Sequence, residues 1–192
     1  MKRKILMLVL MAFSMVGFAQ ESAKAVGGYG GPLIEAANIN GDWGILIGGK
    51  GGAVFSERFA FGGIGMALVG SNEFIGDDLM ENMNAALDLE YGAGGIFVEY
   101  LIKSNGPIRF SIPVNVMGGG VRVNSVSSET EIESTGFFML EPGINLEIKA
   151  TESFTPSINI SYRQAFGVSL VNLDNQAISG LNIGLIFKFG KY

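Results

Sequence analysis

The chain contains no cysteine and no histidine. Without thiols there is no disulfide framework, no thiolate metal site and no lipid-bearing cysteine behind the N-terminal apolar run, which excludes a lipoprotein. Without imidazole, neither a Ser-His-acid nor a Cys-His nucleophile system can be assembled, and the usual general base and metal ligand is missing. Charged residues make up only 16% of the 192 positions. Beyond the N-terminus no segment reaches the roughly 18 consecutive apolar residues of a membrane-spanning helix.

What is present begins with Lys2, Arg3 and Lys4, an apolar run from Ile5 to Phe18, then Ala19-Gln20. This is the basic, apolar and small-residue order of a secretory signal. The run is shorter than the roughly 20 residues of a spanning helix. Cleavage is expected near Ala19, with residues 1–19 as signal peptide and 20–192 as one mature domain. Removing three basic residues leaves ten Lys plus Arg against eighteen Asp plus Glu, a net charge of −8. A surface so poor in cations is unsuited to phosphate backbones, so no nucleic-acid partner is expected.

Glycine is abundant: 29 residues, about twice the usual share of roughly 7%. An exported, apolar, glycine-rich chain without a spanning helix has one way to cross a bilayer, a closed barrel in which strands pair every backbone polar group. The signature is a series of roughly ten-residue segments alternating apolar and polar, separated by turns. Eight are found. In Thr155 to Gln164, Pro156, Ile158, Ile160 and Tyr162 share one face, and Thr155, Ser157, Asn159, Ser161 and Arg163 the other. That segment alone does not choose between lipid and a protein core. Phe137 to Lys149 and Leu181 to Phe189 repeat the pattern. Leu87 to Ile102 and Ile108 to Val123 alternate in part: Asp88 and Glu90 oppose Glu99 in parity, and Arg109 opposes Arg122. A one-residue bulge at Gly94-Gly95 and another at Gly118-Gly119-Gly120 would restore one polar face to each. The segments Gly30 to Asn40, Trp43 to Phe55 and Phe59 to Gly70 are strand-like, with facing left open by their glycines and alanines. The expected fold is a closed, all-β, eight-stranded antiparallel up-and-down transmembrane barrel.

Connections support it. Ser56 to Arg58, Lys103 to Pro107 and Ala150 to Phe154, on the end shared with the N-terminus, are short. At the other end Asn40 to Asp42 is short, while Ser71 to Ala86, Asn124 to Gly136 and Phe166 to Gly180 are long. This is the asymmetry of periplasmic turns and external loops. Aromatics gather at strand ends, with Trp43, Tyr91, Phe137 and Phe166 expected in an external girdle and Phe55, Phe59, Tyr100, Phe110, Phe154 and Phe187 in a periplasmic one.

The last segment carries Asn182, Gly184, Phe187 and Phe189 as polar residue, x, glycine, two residues and two aromatics one apart. It resembles the last-strand signal read by the barrel assembly machinery of the outer membrane. Gly190-Lys191-Tyr192 extend beyond it, which offers Tyr192 as an alternative terminal aromatic. The mature chain as a whole is similar to small Gram-negative outer-membrane β-barrel proteins of the OmpA/OmpX size class. The runs Gly27-Gly28-Tyr29-Gly30-Gly31-Pro32 and Leu140-Glu141-Pro142-Gly143 also look like an uncharacterised group of such barrels. The resemblance implies an outer-membrane location, outer-membrane lipid and the assembly machinery as partners, and no particular activity.

The polar faces collect Lys50, Asp88, Glu90, Glu99, Arg109, Arg122, Glu141, Glu147, Arg163 and Lys188. An eight-stranded barrel is just wide enough for side chains to fill it, so these residues are expected to form a buried ion network and not to line a pore. Buried ions are costly unless well paired, so loss of Glu141 or Arg163 is expected to destabilise the barrel. The external connections carry Glu73, Asp77, Asp78, Glu81, Glu129, Glu131, Glu133 and Asp174 and no basic residue. This rim is a solvated surface, or a site for divalent cations or a basic surface partner, although no calcium-loop spacing is present. Asp77 to Leu87 has near-helical apolar spacing. The runs Gly48-Gly49-Lys50-Gly51-Gly52 and Gly62-Gly63-Ile64-Gly65 match no nucleotide motif. No cofactor is expected. A structural, surface-interaction or adhesion role is favoured, against a lipid-modifying enzyme or a secreted soluble barrel holding a small apolar ligand.

Overall fold

The computed structural model describes residues 25–39, 41–70, 74–75, 86–125, 130–169 and 174–192. The expected signal peptide lies outside them, as does nearly all of the helical spacing of Asp77 to Leu87.

Eight long strands form the wall: β1 (Ala25–Ile39), β2 (Asp42–Phe55), β3 (Phe59–Val69), β5 (Ala86–Leu101), β6 (Ile108–Ser125), β7 (Thr130–Ile148), β8 (Phe154–Phe166) and β9 (Gly180–Lys191). A two-residue strand, β4 (Phe74–Ile75), pairs with Ala86–Leu87 of β5. Among the described residues a short helix, α1 (Asn175–Ile178), precedes β9. Every neighbour is antiparallel. Pairing of β3 with β5 and of β1 with β9 joins the sheet into a ring with no free wall edge, the only sheet form whose backbone is fully paired in hydrocarbon.

The alternation in the sequence becomes the two faces of this wall. On the outside stand Ile45, Ile47, Phe61, Ile96, Val98, Ile112, Leu140, Ile144, Ile158, Ile160, Ile183 and Leu185, all substantially exposed. So continuous a band of aliphatic surface far exceeds what a water-soluble protein exposes, and it is the lipid-facing band of a membrane barrel. Phe55, Phe59, Tyr100, Phe110 and Phe189 collar its turn end, while Trp43, Phe138, Tyr162 and Phe166 collar the other.

Both bulges expected at the glycine clusters are absent. Register runs unbroken from Leu87↔Ser125 to Leu101↔Ser111 across Gly94-Gly95 and Gly118-Gly119-Gly120, and the irregularities lie between Ala25 and Gly27 and between Val123 and Asn124. Bulges would be needed only if every charge on these strands faced the lumen. Near the external ends the outward face meets headgroups and water, so Glu90 and Arg122 sit there without any shift of parity.

Glycine has a different use. Gly31 and Gly95 face inward, and a Cβ at either would collide with the carbonyl oxygen of the adjoining strand, Phe187 and Val116 respectively. Bending eight strands into so narrow a tube brings backbones this close on the concave side.

The third external connection is also shorter than expected. β6 and β7, at 18 and 19 residues, are much longer than the 9–11 residues that cross a bilayer. They stay paired as far as Ser125↔Thr130, which leaves only 126–129 between them.

Candidate functional site

The lumen is filled from the turn end upward. Glu99 (β5) and Glu147 (β7) form its charged centre. Lys188 (β9) donates to Glu99 at 2.6 Å and to Glu147 at 2.5 Å. The Ser111 hydroxyl lies 2.5 Å from Glu99 and 2.8 Å from Glu147, with one proton to share between the two carboxylates, and Asn145 donates to Glu99 at 2.8 Å. The Tyr29 hydroxyl donates to Glu99, Lys50 stands 3.5 Å from it, and Arg109 grips Glu147 through Nε at 2.8 Å and Nη2 at 2.5 Å. The ammonium groups of Lys50 and Lys188 also lie over the rings of Phe97 and Tyr29, at 4.1 and 4.5 Å from their centres, where the ring quadrupole favours a cation. Removing ions from water costs several kcal/mol each unless their lone pairs and protons are met, and here charge-assisted bonds meet them on several sides.

Above this layer Glu141 accepts from Asn115 at 2.9 Å and from Asn182 at 3.0 Å. Glu35 of β1 lies against Gly184, its Cβ and Cγ 3.4 Å from where a side chain there would begin. Its Oε1 has no protein partner. It lines a cavity of about 10 Å³ with Lys50, Asn115 and Asn159, which is room for a single water molecule.

Each mouth is closed by side chains. At the external end Arg163 donates to the carbonyl oxygens of Ile178 at 2.7 Å and Asn38 at 2.8 Å, drawing α1 over the opening so that Ile178 is fully buried. Asp174 caps α1 by accepting from the backbone N–H groups of Gln176 and Ala177. Beneath α1 the lining turns apolar, with Leu89, Tyr91, Val121, Val123, Phe137 and Met139. At the turn end Tyr192 folds inward: its ring centre is 5.0 Å from that of Tyr29 and 4.7 Å from the Arg109 guanidinium.

Of the ten residues expected in the lumen, Lys50, Glu99, Glu141, Glu147, Arg163 and Lys188 are buried inside, and Arg109 lies at the turn-end mouth. Glu90 and Arg122 are not lumenal. They are register partners on the outer face, 3.7 Å apart and half-exposed. Asp88 shares their parity on β5, and its side chain lies outside the described residues. Ser111, Asn115, Asn145 and Asn182, on the polar faces of their strands, are lumenal too, as are Tyr29 and Glu35, whose strand hides its facing behind glycines and alanines. Tyr91 and Phe137, expected in the external girdle, stack on each other inside at 5.4 Å, because both take the inward parity of their strands, shared with Glu99 on β5 and Glu141 on β7.

Among the external acids, Glu73, Asp77, Asp78, Glu81 and Glu129 lie outside the described residues. Glu131 and Glu133 are on strand β7 and not in a loop. In the C-terminal signal Asn182 is buried inside, Gly184 lies beneath Glu35, Phe187 stacks on Phe154 at 6.5 Å, and Phe189 faces outward at 53% exposure. The outward terminal aromatic is Phe189, since Tyr192 points into the lumen.

The upper ends of β5, β6 and β7 form a three-stranded ribbon that outruns its neighbours. β3 pairs with β5 only from Gly92 downward, and β8 pairs with β7 only from Phe138 downward. Among the described residues, the β7 edge from Thr130 to Phe137 therefore has no strand partner beyond β6.

Neisserial surface protein A, a solved structure, superposes with a TM-score of 0.55 at 10% sequence identity, over 88% of this chain and 97% of that one. Ail, the attachment invasion locus protein of Yersinia pestis, matches with a TM-score of 0.47 at 11% identity, over 88% of this chain and 99% of the other. No family model and no curated protein matches the chain. The first likeness fixes the fold as that of a small outer-membrane β-barrel.

Proposed function

We propose that the mature protein is a non-catalytic outer-membrane barrel whose working part is the ribbon of β5, β6 and β7, held above the bilayer by a wall that is only an anchor. The observation carrying this reading is that, among the described residues, β5, β6 and β7 stay paired with one another beyond the point where β3 and β8 pair with them, Gly92 and Phe138. A ribbon that outruns its neighbouring strands can present backbone donors and acceptors to an extended segment of another protein. The filled lumen supports the same division of labour, because it leaves no route for solute. The test compares cells producing the intact protein with cells producing a variant in which residues 121–135 are replaced by a tight turn. Cell fractionation and heat-dependent gel mobility establish that both reach the outer membrane folded. Attachment to a protein-coated surface should fall to the level of non-producing cells for the shortened variant. Equal attachment by both would remove the ribbon from the function.

A further inference from the structure

The turn end of the barrel is the basic end. Arg58, Lys103, Lys149 and Lys191 are all exposed there, against two exposed acids, Glu57 and Glu152, among the described residues. At the external end the exposed described charges are Asp42, Glu90 and Asp174 against Arg122 alone, which already faces Glu90. A chain of net charge −5 has thus gathered exposed cations where its N-terminal strand begins.

Each of these cations lies within two residues of an outward-facing apolar side chain. Arg58 immediately precedes outward Phe59, Lys103 follows outward Ile102, Lys149 follows outward Ile148, and Lys191 lies two residues past outward Phe189. The aromatic collar there is packed, with the Phe59 and Tyr100 rings 5.2 Å apart. Backbone bonds tie the turns around one rim: Leu101 donates to Arg58, Lys149 to Pro107, and Gly190 to Ser153. Each charge therefore springs from within one or two residues of the last lipid-facing side chain, about 3–7 Å along a strand. That is the reach over which Lys and Arg stems place their heads among lipid phosphates. Lys103 and Lys191 have loose acidic neighbours, Glu57 at 3.7 Å and Glu152 at 3.8 Å. Arg58 and Lys149 have no acidic partner among the described residues.

We infer that this rim is an anionic-phospholipid site of the periplasmic leaflet, in which Arg58 and Lys149 hold headgroup phosphates. A single attached anionic headgroup is worth roughly a five-fold preference per cation at the surface, and a guanidinium adds a two-pronged hydrogen bond to phosphate. The outward collar below supplies the wall against which the acyl chains lie.

The experiment places the mature protein in nanodiscs containing equal amounts of phosphatidylglycerol and phosphatidylcholine, then counts the lipids retained on release by native mass spectrometry. Phosphatidylglycerol should be retained several-fold over phosphatidylcholine. The preference should vanish in the double variant R58Q/K149Q and persist in R122Q, at the opposite end, with gel mobility confirming that each is folded. Equal retention of the two lipids by the unsubstituted protein overturns the inference whatever the variants do, and so does an unchanged preference in the double variant. Loss of the preference in inorganic phosphate, but not in chloride of equal ionic strength, would show a free-anion site and overturn the lipid assignment.

Discussion

Glu99 illustrates how one buried carboxylate stands in for many contacts. Tyr29, Ser111, Asn145, Lys188 and Lys50 all address it, so its removal takes from Lys50 its acidic partner among the described residues and leaves Lys188 with Glu147 alone. Glu99→Ala is expected to cost about 3–5 kcal/mol, seen as a lower urea midpoint in detergent followed by the single tryptophan, Trp43. Glu99→Gln, which keeps hydrogen-bonding capacity and loses the charge, should fall between. Glu141→Ala and Arg163→Ala belong to the same series with smaller effects, since Glu141 accepts from two amides and Arg163 binds carbonyls. An unaltered midpoint for Glu99→Ala would show that the lumen network contributes nothing to stability. Glu147 and Lys188 were legible from the alternation of their own strands, whereas Lys50 stood in a strand of open facing and Glu99 opposed Asp88 and Glu90 in parity. Glu35 was not legible, because parity has meaning only once a strand's facing is known, and β1 is rich in residues indifferent to facing.

Among the strands, glycine divides into two populations that look alike in sequence. Gly31 faces the lumen where the β1–β9 seam draws tight, and its missing side chain is a condition of closure. Gly118 faces outward, and the nearest atom to a Cβ placed there is the carbonyl oxygen of Phe137 at 3.8 Å, an ordinary contact. Gly31→Ala should therefore reduce the fraction of protein migrating as the compact unboiled form. Gly118→Ala should leave it unchanged and alter the unfolding free energy by less than about 1 kcal/mol. Equal behaviour of the two variants would refute the distinction. The strand spans were readable to within a few residues in most cases, the clearest exception being β7, which begins at Thr130 and not near Phe137. Ser134, Thr135 and Gly136 carry no apolar alternation because that part of the strand stands above the lipid, and alternation is imposed only where one face meets hydrocarbon.

For the whole molecule the relevant fact is that both mouths are stoppered, by Ile178 and Arg163 above and by Tyr192 and Arg109 below. Purified protein in planar bilayers is expected to give no discrete conductance steps. Reproducible stepwise openings would show that the lumen admits hydrated ions. The placement of charge follows the same axis, with bases around the turn rim and acids on the opposite side.

The sequence by itself determined the number of wall strands, their alternating faces, the short turns at one end and the identity of most of the buried charges. These follow from a two-residue period and from turn chemistry, both local properties. Only the tertiary structure decided how far each strand rises relative to its neighbours, and with it that Glu90 and Arg122 lie outside, that Glu35 and Tyr192 lie inside, and that, among the described residues, β7 rises beyond its pairing with β8. Those outcomes depend on the stagger between strands in a closed ring, a quantity set by all eight together and written in no single segment.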